Sequence, residues 1–169
     1  MLIRMTRHIA RVAVVAAALS LTACQMADGP LPAETGDRPN EIEEISRDMF
    51  NAANQDPAAA DDLVKDVTHY AEGNPAGLAA AVDLSRRLAE VLAGKTFMAT
   101  EAVPLARSCW IAVAGRQLSD RQVENLQSEF TSQLAMLGVD QSQAQALATQ
   151  VGVVQRAVNT RQRRWYELR

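Results

Sequence analysis

The sequence predicts an all-α fold, a bundle of about six helices that ends in an antiparallel helical hairpin. Three observations predict it. No stretch alternates apolar and polar residues as a half-buried strand must. Apolar residues recur instead at spacings of three and four, the period of a helix with one buried face. Capping residues, prolines and glycines then divide those periodic runs into separate elements. Composition agrees. Aromatic residues make up only 4% of the 169 residues, and the abundant alanine favours helix and lets helices pack closely.

The chain opens with MLIRMTRHIAR, which carries Arg4, Arg7 and Arg11 and no acid, followed by the uncharged run VAVVAAALSL. A basic segment, a short apolar segment and a small residue, Ala23, have the layout of a secretory signal peptide over residues 1–23. The apolar run is short for a membrane-spanning helix, which needs roughly 20 apolar residues. A buried N-terminal helix is the alternative, and the order of polarity argues against it. The next four residues sharpen the reading. Leu21-Thr22-Ala23-Cys24 resembles the lipobox of bacterial lipoproteins. The resemblance implies that Cys24 takes a diacylglycerol on its sulfur and becomes the first residue after cleavage behind Ala23. It also implies acylation of the new amine, with fatty chains such as palmitate. Two or more chains give stable anchoring where one gives only reversible binding. Gln25 is not the aspartate that often signals inner-membrane retention. The implied location is therefore the outer membrane, facing the periplasm, with a single-membrane cell left open.

Residues 24–39 read as a lipidated cysteine and a flexible tether. QMADGPLPAETGDRP holds three prolines and two glycines with no apolar period, and such a segment of fifteen residues can reach roughly 50 Å when extended. Residues 40–169 are the expected periplasmic helical domain. The leader contains three of the 17 basic residues and none of the 20 acidic ones, which leaves 14 against 20, a formal charge of −6. A mildly acidic domain is a poor general ligand for nucleic acid, and none is expected as a partner.

Within the domain, Asn40 and Glu43 have the spacing of a capping box, followed by Ile42, Ile45, Met49 and Phe50 on one face. Asp56-Pro57 and Asn74-Pro75 each offer a cap followed by proline at a first helical position. Gly73 and Gly94 stand where helix stops belong. The segment between them, AGLAAAVDLSRRLAEVLA, places Leu78, Val82, Leu88 and Leu92 near one stripe. EAVPLARSCWIAVAG is apolar almost all round beyond Pro104. It is the expected central helix, with Pro104 in its first turn, where a missing N–H breaks no bond.

The last third is the most legible. Ser119 and Gln122 form a capping box, and Leu118 is placed to staple onto Val123. Val123, Leu126, Phe130, Leu134 and Leu137 make a buried stripe, and Gly138 ends it. Asp140 and Gln143 repeat the box, and Leu147, Val151, Val154 and Val158 form a short heptad-like seam. So short a turn makes the two helices antiparallel neighbours.

Chemistry is sparse. Asp62, Asp66 and His69 share a helix face and are ligand types for a divalent ion. With no second histidine after the leader, a solvated acidic face is the favoured reading, and no metal or cofactor is expected. Cys109 sits beside Trp110 in an apolar helix and reads as a structural thiol, since reactivity needs an electropositive, accessible site. His69 is the only candidate base for Ser-His-Asp hydrolysis, and neither a G-x-S-x-G elbow nor a phosphate-binding loop is present. Twenty acids make chance carboxylate pairs inevitable, so a cell-wall enzyme is the least favoured reading.

RQRRWYELR, at the C-terminus, gathers Arg161, Arg163, Arg164, Trp165 and Tyr166. Such a cluster can grip phosphate headgroups, an acidic partner or a glycan. The same residues also suit a helix end, where positive charge complements the dipole and Trp165 extends the seam. LSDRQ, residues 118–122, is similar to the L-T-x-x-Q motif of small helical periplasmic chaperones of the Spy and CpxP type, with serine for threonine. It is also what a staple plus capping box must look like. The expected function is non-catalytic: a lipid-anchored domain that binds or positions another envelope component, in the manner of the small helical pilotins of secretion systems. A chaperone or stress-sensing binding protein is the alternative.

Overall fold

The computed structural model describes residues 38–72, 75–114 and 117–167, with side chains as far as Ala157. The leader, Cys24, the tether up to Asp37, Gly73, Asn74 and the side chains of Val158 and of the Arg161–Tyr166 cluster lie outside the described residues. Six α-helices follow one another: α1 (Pro39–Ala53), α2 (Pro57–Ala71), α3 (Leu78–Leu92), α4 (Ala99–Val113), α5 (Asp120–Met136) and α6 (Gln141–Glu167). No strand occurs among the described residues. The fold is the all-α bundle that the periodicity predicts.

Several helix starts match their sequence signals. The Asp56 carboxylate accepts the Ala58 N–H at 3.0 Å, with Pro57 opening α2. Ser119 and Gln122 bond reciprocally at the start of α5, through Ser119 N–H to Gln122 Oε1 at 3.0 Å and Gln122 N–H to Ser119 Oγ at 3.3 Å. Leu118 and Val123 both pack on the core. Asp140 caps α6 by accepting from Ser142 N–H at 2.9 Å. The Ser142 hydroxyl and then the backbone N–H groups of Ser142, Gln143 and Gln141 hold its carboxyl below the usual range. Gly94 and Gly138 adopt φ of +76° and +79° behind α3 and α5, the left-handed stop that glycine allows without a Cβ penalty.

Three starts differ. Asn40 caps nothing: α1 begins at Pro39 with Arg38 as its N-cap, because proline's fixed φ already suits the first helical position. Pro75 lies in a turn, and α3 begins only at Leu78 behind Gly77, since an interior glycine would cost the helix about 1 kcal/mol. Helix α4 starts at Ala99, earlier than expected, so Pro104 falls inside it and not in its first turn. Its missing N–H would have met the Thr100 carbonyl, and both residues are exposed. The buried stripe of α3 is Ala81, Leu84, Ser85, Leu88, Ala89 and Leu92, with Leu78 and Val82 at its edge.

Helix α1 lies antiparallel to α2 and to α4. Tyr70 at the end of α2 donates to Glu44 near the start of α1 at 2.6 Å. Trp110 Nε1, near the end of α4, donates to Glu41 Oε2 at 2.6 Å, whereas Ser46 Oγ meets the Ala99 carbonyl at the start of α4 at 2.5 Å. Nine of the fifteen residues of α4 are buried, from Ala102 to Val113, which makes it the central helix of the bundle. Its orphan Ala112 carbonyl accepts from Gln155 Nε2 at 2.8 Å. Gln155 is fully buried, so a side chain of α6 caps the C-terminus of α4 from inside the core.

Helices α5 and α6 form the expected hairpin. Leu126, Phe130 and Leu134 are fully buried, and Leu147, Val151 and Val154 face the same core. Gln127 Nε2 donates to the Ala148 carbonyl at 2.8 Å. A Cβ on Gly152 would fall 2.6 Å from that amide nitrogen. Gly152→Ala therefore gains about 1 kcal/mol of helix propensity and loses about 1 kcal/mol of displaced hydrogen bond. The expected net change is near zero in the wild type. In a Gln127→Ala background the same substitution is expected to stabilise by about 1 kcal/mol. Urea denaturation of the four proteins measures the cycle, and equal effects in both backgrounds would refute the contact.

Candidate functional site

The polar contacts of the domain concentrate on α1. Glu41, Glu44 and Asp48 lie at i, i+3 and i+7, and each meets a different neighbour. Glu41 accepts from Trp110, and its other oxygen pairs with Arg38 at 2.9 Å. Glu44 accepts from Tyr70. Burial, and then the bond to Glu44, push the phenol of Tyr70 above its ordinary value. Asp48 is hydrogen-bonded to Asp66 of α2. Burial first, then that bond and the charges of Asp66 and Asp62, push the Asp48 carboxyl up to about 7, with Arg47 opposing. Its Oδ2 is shut off from solvent without a hydrogen-bond partner.

The Asp48 carboxyl thus stays protonated to higher pH where it meets Asp66 across α1 and α2. A folded carboxyl that titrates above its ordinary value of 3.8 holds an extra proton between about pH 4 and pH 7. The stabilisation is complete below the unfolded value and is lost as pH rises through about 7. Asp48→Asn keeps a donor to Asp66 and removes the charge. It is expected to be more stable than wild type at pH 8 by about 1 kcal/mol, allowing for screening of this half-buried group. Denaturation midpoints from pH 4 to pH 8 would converge at the acid end; parallel curves would refute the raised titration of Asp48.

Asp66 is therefore engaged with α1 and does not converge with Asp62 and His69. The His69 side chain is 70% exposed, with Nδ1 3.5 Å from Glu72. Among the described residues, no group of three His, Cys, Asp or Glu side chains is placed to hold a metal ion. Cys109 is fully buried, and burial pushes its thiol up to about 12. A thiol held protonated in the core is not a nucleophile.

A cleft of about 430 Å³ opens where the end of α1, the start of α2 and the second half of α3 meet. Ala52, Ala60, Val64 and Ala89 contribute apolar surface, whereas Asp56, Asp61, Glu90 and Arg86 carry charge. Arg86 forms no ion pair or hydrogen bond among the described residues. Gln55, also at the cleft, has φ of +62°, unusual for a side-chain-bearing residue. The adjoining Gly94 donates its N–H to the Ala53 carbonyl at 2.8 Å, which binds this turn to the end of α3. Sequence reading missed the cleft and the Asp48–Asp66 pair. The one available signal was Asp48 itself, a charge beside the apolar stripe of Ile45 and Met49.

The Arg161–Tyr166 segment continues α6, which is helical to Glu167. Gln155 pins this helix at the end of α4 six residues before Arg161. Comparison with protein-family models, curated proteins and solved structures finds no match.

Proposed function

We propose that the protein is a lipoprotein anchored to the bacterial cell envelope, most consistent with the outer membrane facing the periplasm, whose helical domain binds or positions another envelope component without catalysis. The observation that carries the reading is Leu21-Thr22-Ala23-Cys24 at the end of a basic-then-apolar leader. No helix among the described residues is long and apolar enough to cross a membrane. The buried Cys109 and the exposed His69 favour binding over catalysis. Among the described residues, the exposed large apolar side chains, Met98, Val103, Met136 and Val153, are distributed over α4, its N-cap, and α5 and α6. A client-binding chaperone calls for a contiguous apolar face, so the chaperone reading ranks second. Arg161, Arg163, Arg164, Trp165 and Tyr166 are the proposed contact residues.

Cys24→Ser is expected to move the protein from the membrane fraction to the soluble fraction. The wild type should resist a high-salt wash and leave only with detergent. A Cys24→Ser protein that still sediments with washed membranes would overturn the anchor. Purification of the lipidated protein in mild detergent then tests the binding role, with one stoichiometric envelope protein as the expected companion.

A further inference from the structure

We propose that the cleft between α1, α2 and α3 receives the basic C-terminal end of α6 from a second copy, so that copies associate head to tail. The proposal rests on the reading of the Arg161–Tyr166 segment as a contact surface and names its partner.

Charge is distributed unevenly along the domain. Residues 38–72 hold nine carboxylates and three basic side chains, a net −6. Residues 73–157 hold seven of each sign, and residues 158–169 hold four arginines and one glutamate, a net +3. The acidic excess thus lies in α1 and α2, two of the three helices that form the cleft, and the basic excess lies in the last twelve residues. The cleft joins small apolar side chains to Asp56, Asp61 and Glu90. Its volume falls within the range of binding pockets, roughly 300–1,000 Å³. The matching segment joins Trp165 and Tyr166 to three arginines, the residue types that dominate binding energy at interfaces. Glu167 gives the incoming segment one carboxylate, and Arg86 is a base at the cleft with no ion pair among the described residues.

Among the described residues, those that line the cleft belong to α1, α2, α3 or their turns. The opposite charge of the last twelve residues makes the tail of a second copy the occupant of choice. Helix α6 is already helical through Glu167, so the segment need not fold on binding, which lowers the ordering cost. A contact between two different surfaces is heterologous and propagates unless it closes into a ring.

The test uses the full chain with Cys24→Ser, which removes the lipid, in sedimentation velocity from micromolar to near-millimolar concentration. Association beyond the dimer, weakened by added salt, is the expected result. Asp61→Arg with Glu90→Arg, and separately Arg161→Glu with Arg164→Glu, are each expected to weaken it at least about tenfold. Circular dichroism checks that both variants fold. Mixed together, the two are expected to associate again and to grow beyond the dimer, because the basic tail of one variant meets the acidic cleft of the other and the reversed tail meets the reversed cleft. A chain that stays monomeric, an association untouched by either pair of changes, or folded variants that fail to pair would each overturn the proposal. A second measurement separates the two readings. If the lipidated Arg161→Glu, Arg164→Glu protein loses a co-purifying envelope protein while the chain stays monomeric, the head-to-tail contact falls and the contact reading survives. If the tail changes alter neither, both fall.

Discussion

Phe130→Ala is expected to destabilise the domain by about 3–5 kcal/mol, the cost of emptying a fully buried aromatic site. Phe130 is completely buried between Leu126 and Leu134 on the core face of α5. A domain of this size has a total stability of about 5–15 kcal/mol, so about a fifth or more would be lost. The melting temperature should fall by roughly 10–20 °C. A second readout comes from Cys109, whose thiol is fully buried and pushed up to about 12. In a Cys24→Ser chain it is the only thiol. It reacts with a disulfide reagent only when the core opens, so labelling should accelerate by about a hundredfold or more. A loss below about 1 kcal/mol with unchanged labelling would place α5 outside the cooperative unit.

Trp110→Ala should cost a similar amount, about 3–5 kcal/mol. Trp110 is 8% exposed and is also the donor that binds α4 to α1 through Glu41. The two contributions can be separated. Trp110→Phe retains most of the apolar surface and removes the indole N–H. The Glu41 side chain, 18% exposed, then keeps only its pairing with Arg38 among the described residues. A hydrogen bond to a charged group contributes about 1.5–3 kcal/mol, and Trp110→Phe is expected to cost that much. Combining it with Glu41→Gln in a double-mutant cycle should return a coupling of about 1–2 kcal/mol. Additive effects would show that the contact adds nothing to packing.

Local signals were legible in the sequence, and pairings between helices were not. Ser119 with Gln122, Asp56 with Pro57, Asp140 and the two left-handed glycines act within a few residues of themselves, so spacing alone revealed them. The stripe from Leu126 to Leu134 was legible because one period fixes one buried face. The reading failed where two local signals competed. Pro39 outweighed Asn40 as the start of α1, and Gly77 delayed α3 beyond Pro75. Pro104 was placed by its own preference, yet Glu101 reaches back to the Met98 N–H at 2.7 Å and starts α4 a turn earlier. Asp48 with Asp66, Trp110 with Glu41 and Gln155 with Ala112 depend on which faces of distant helices meet. No periodicity encodes that. The cleft is illegible for the same reason, since its walls come from three helices.

The ties along α1 have a mechanical meaning for a chain held at its N-terminus. Under the proposed anchor, a pull between membrane and domain would enter the bundle at Pro39, the first residue of α1. The Glu41–Trp110 contact stands within the first turn and the Glu44–Tyr70 contact one turn later, on different neighbours. Tension therefore meets α4 and α2 almost at once and is shared among three helices before it can unwind the first. Ser46 and Asp48 repeat that sharing one turn further in. With the proposed anchor at Cys24, a domain fastened in this way would transmit force from its N-terminal end while its remaining helices stay packed.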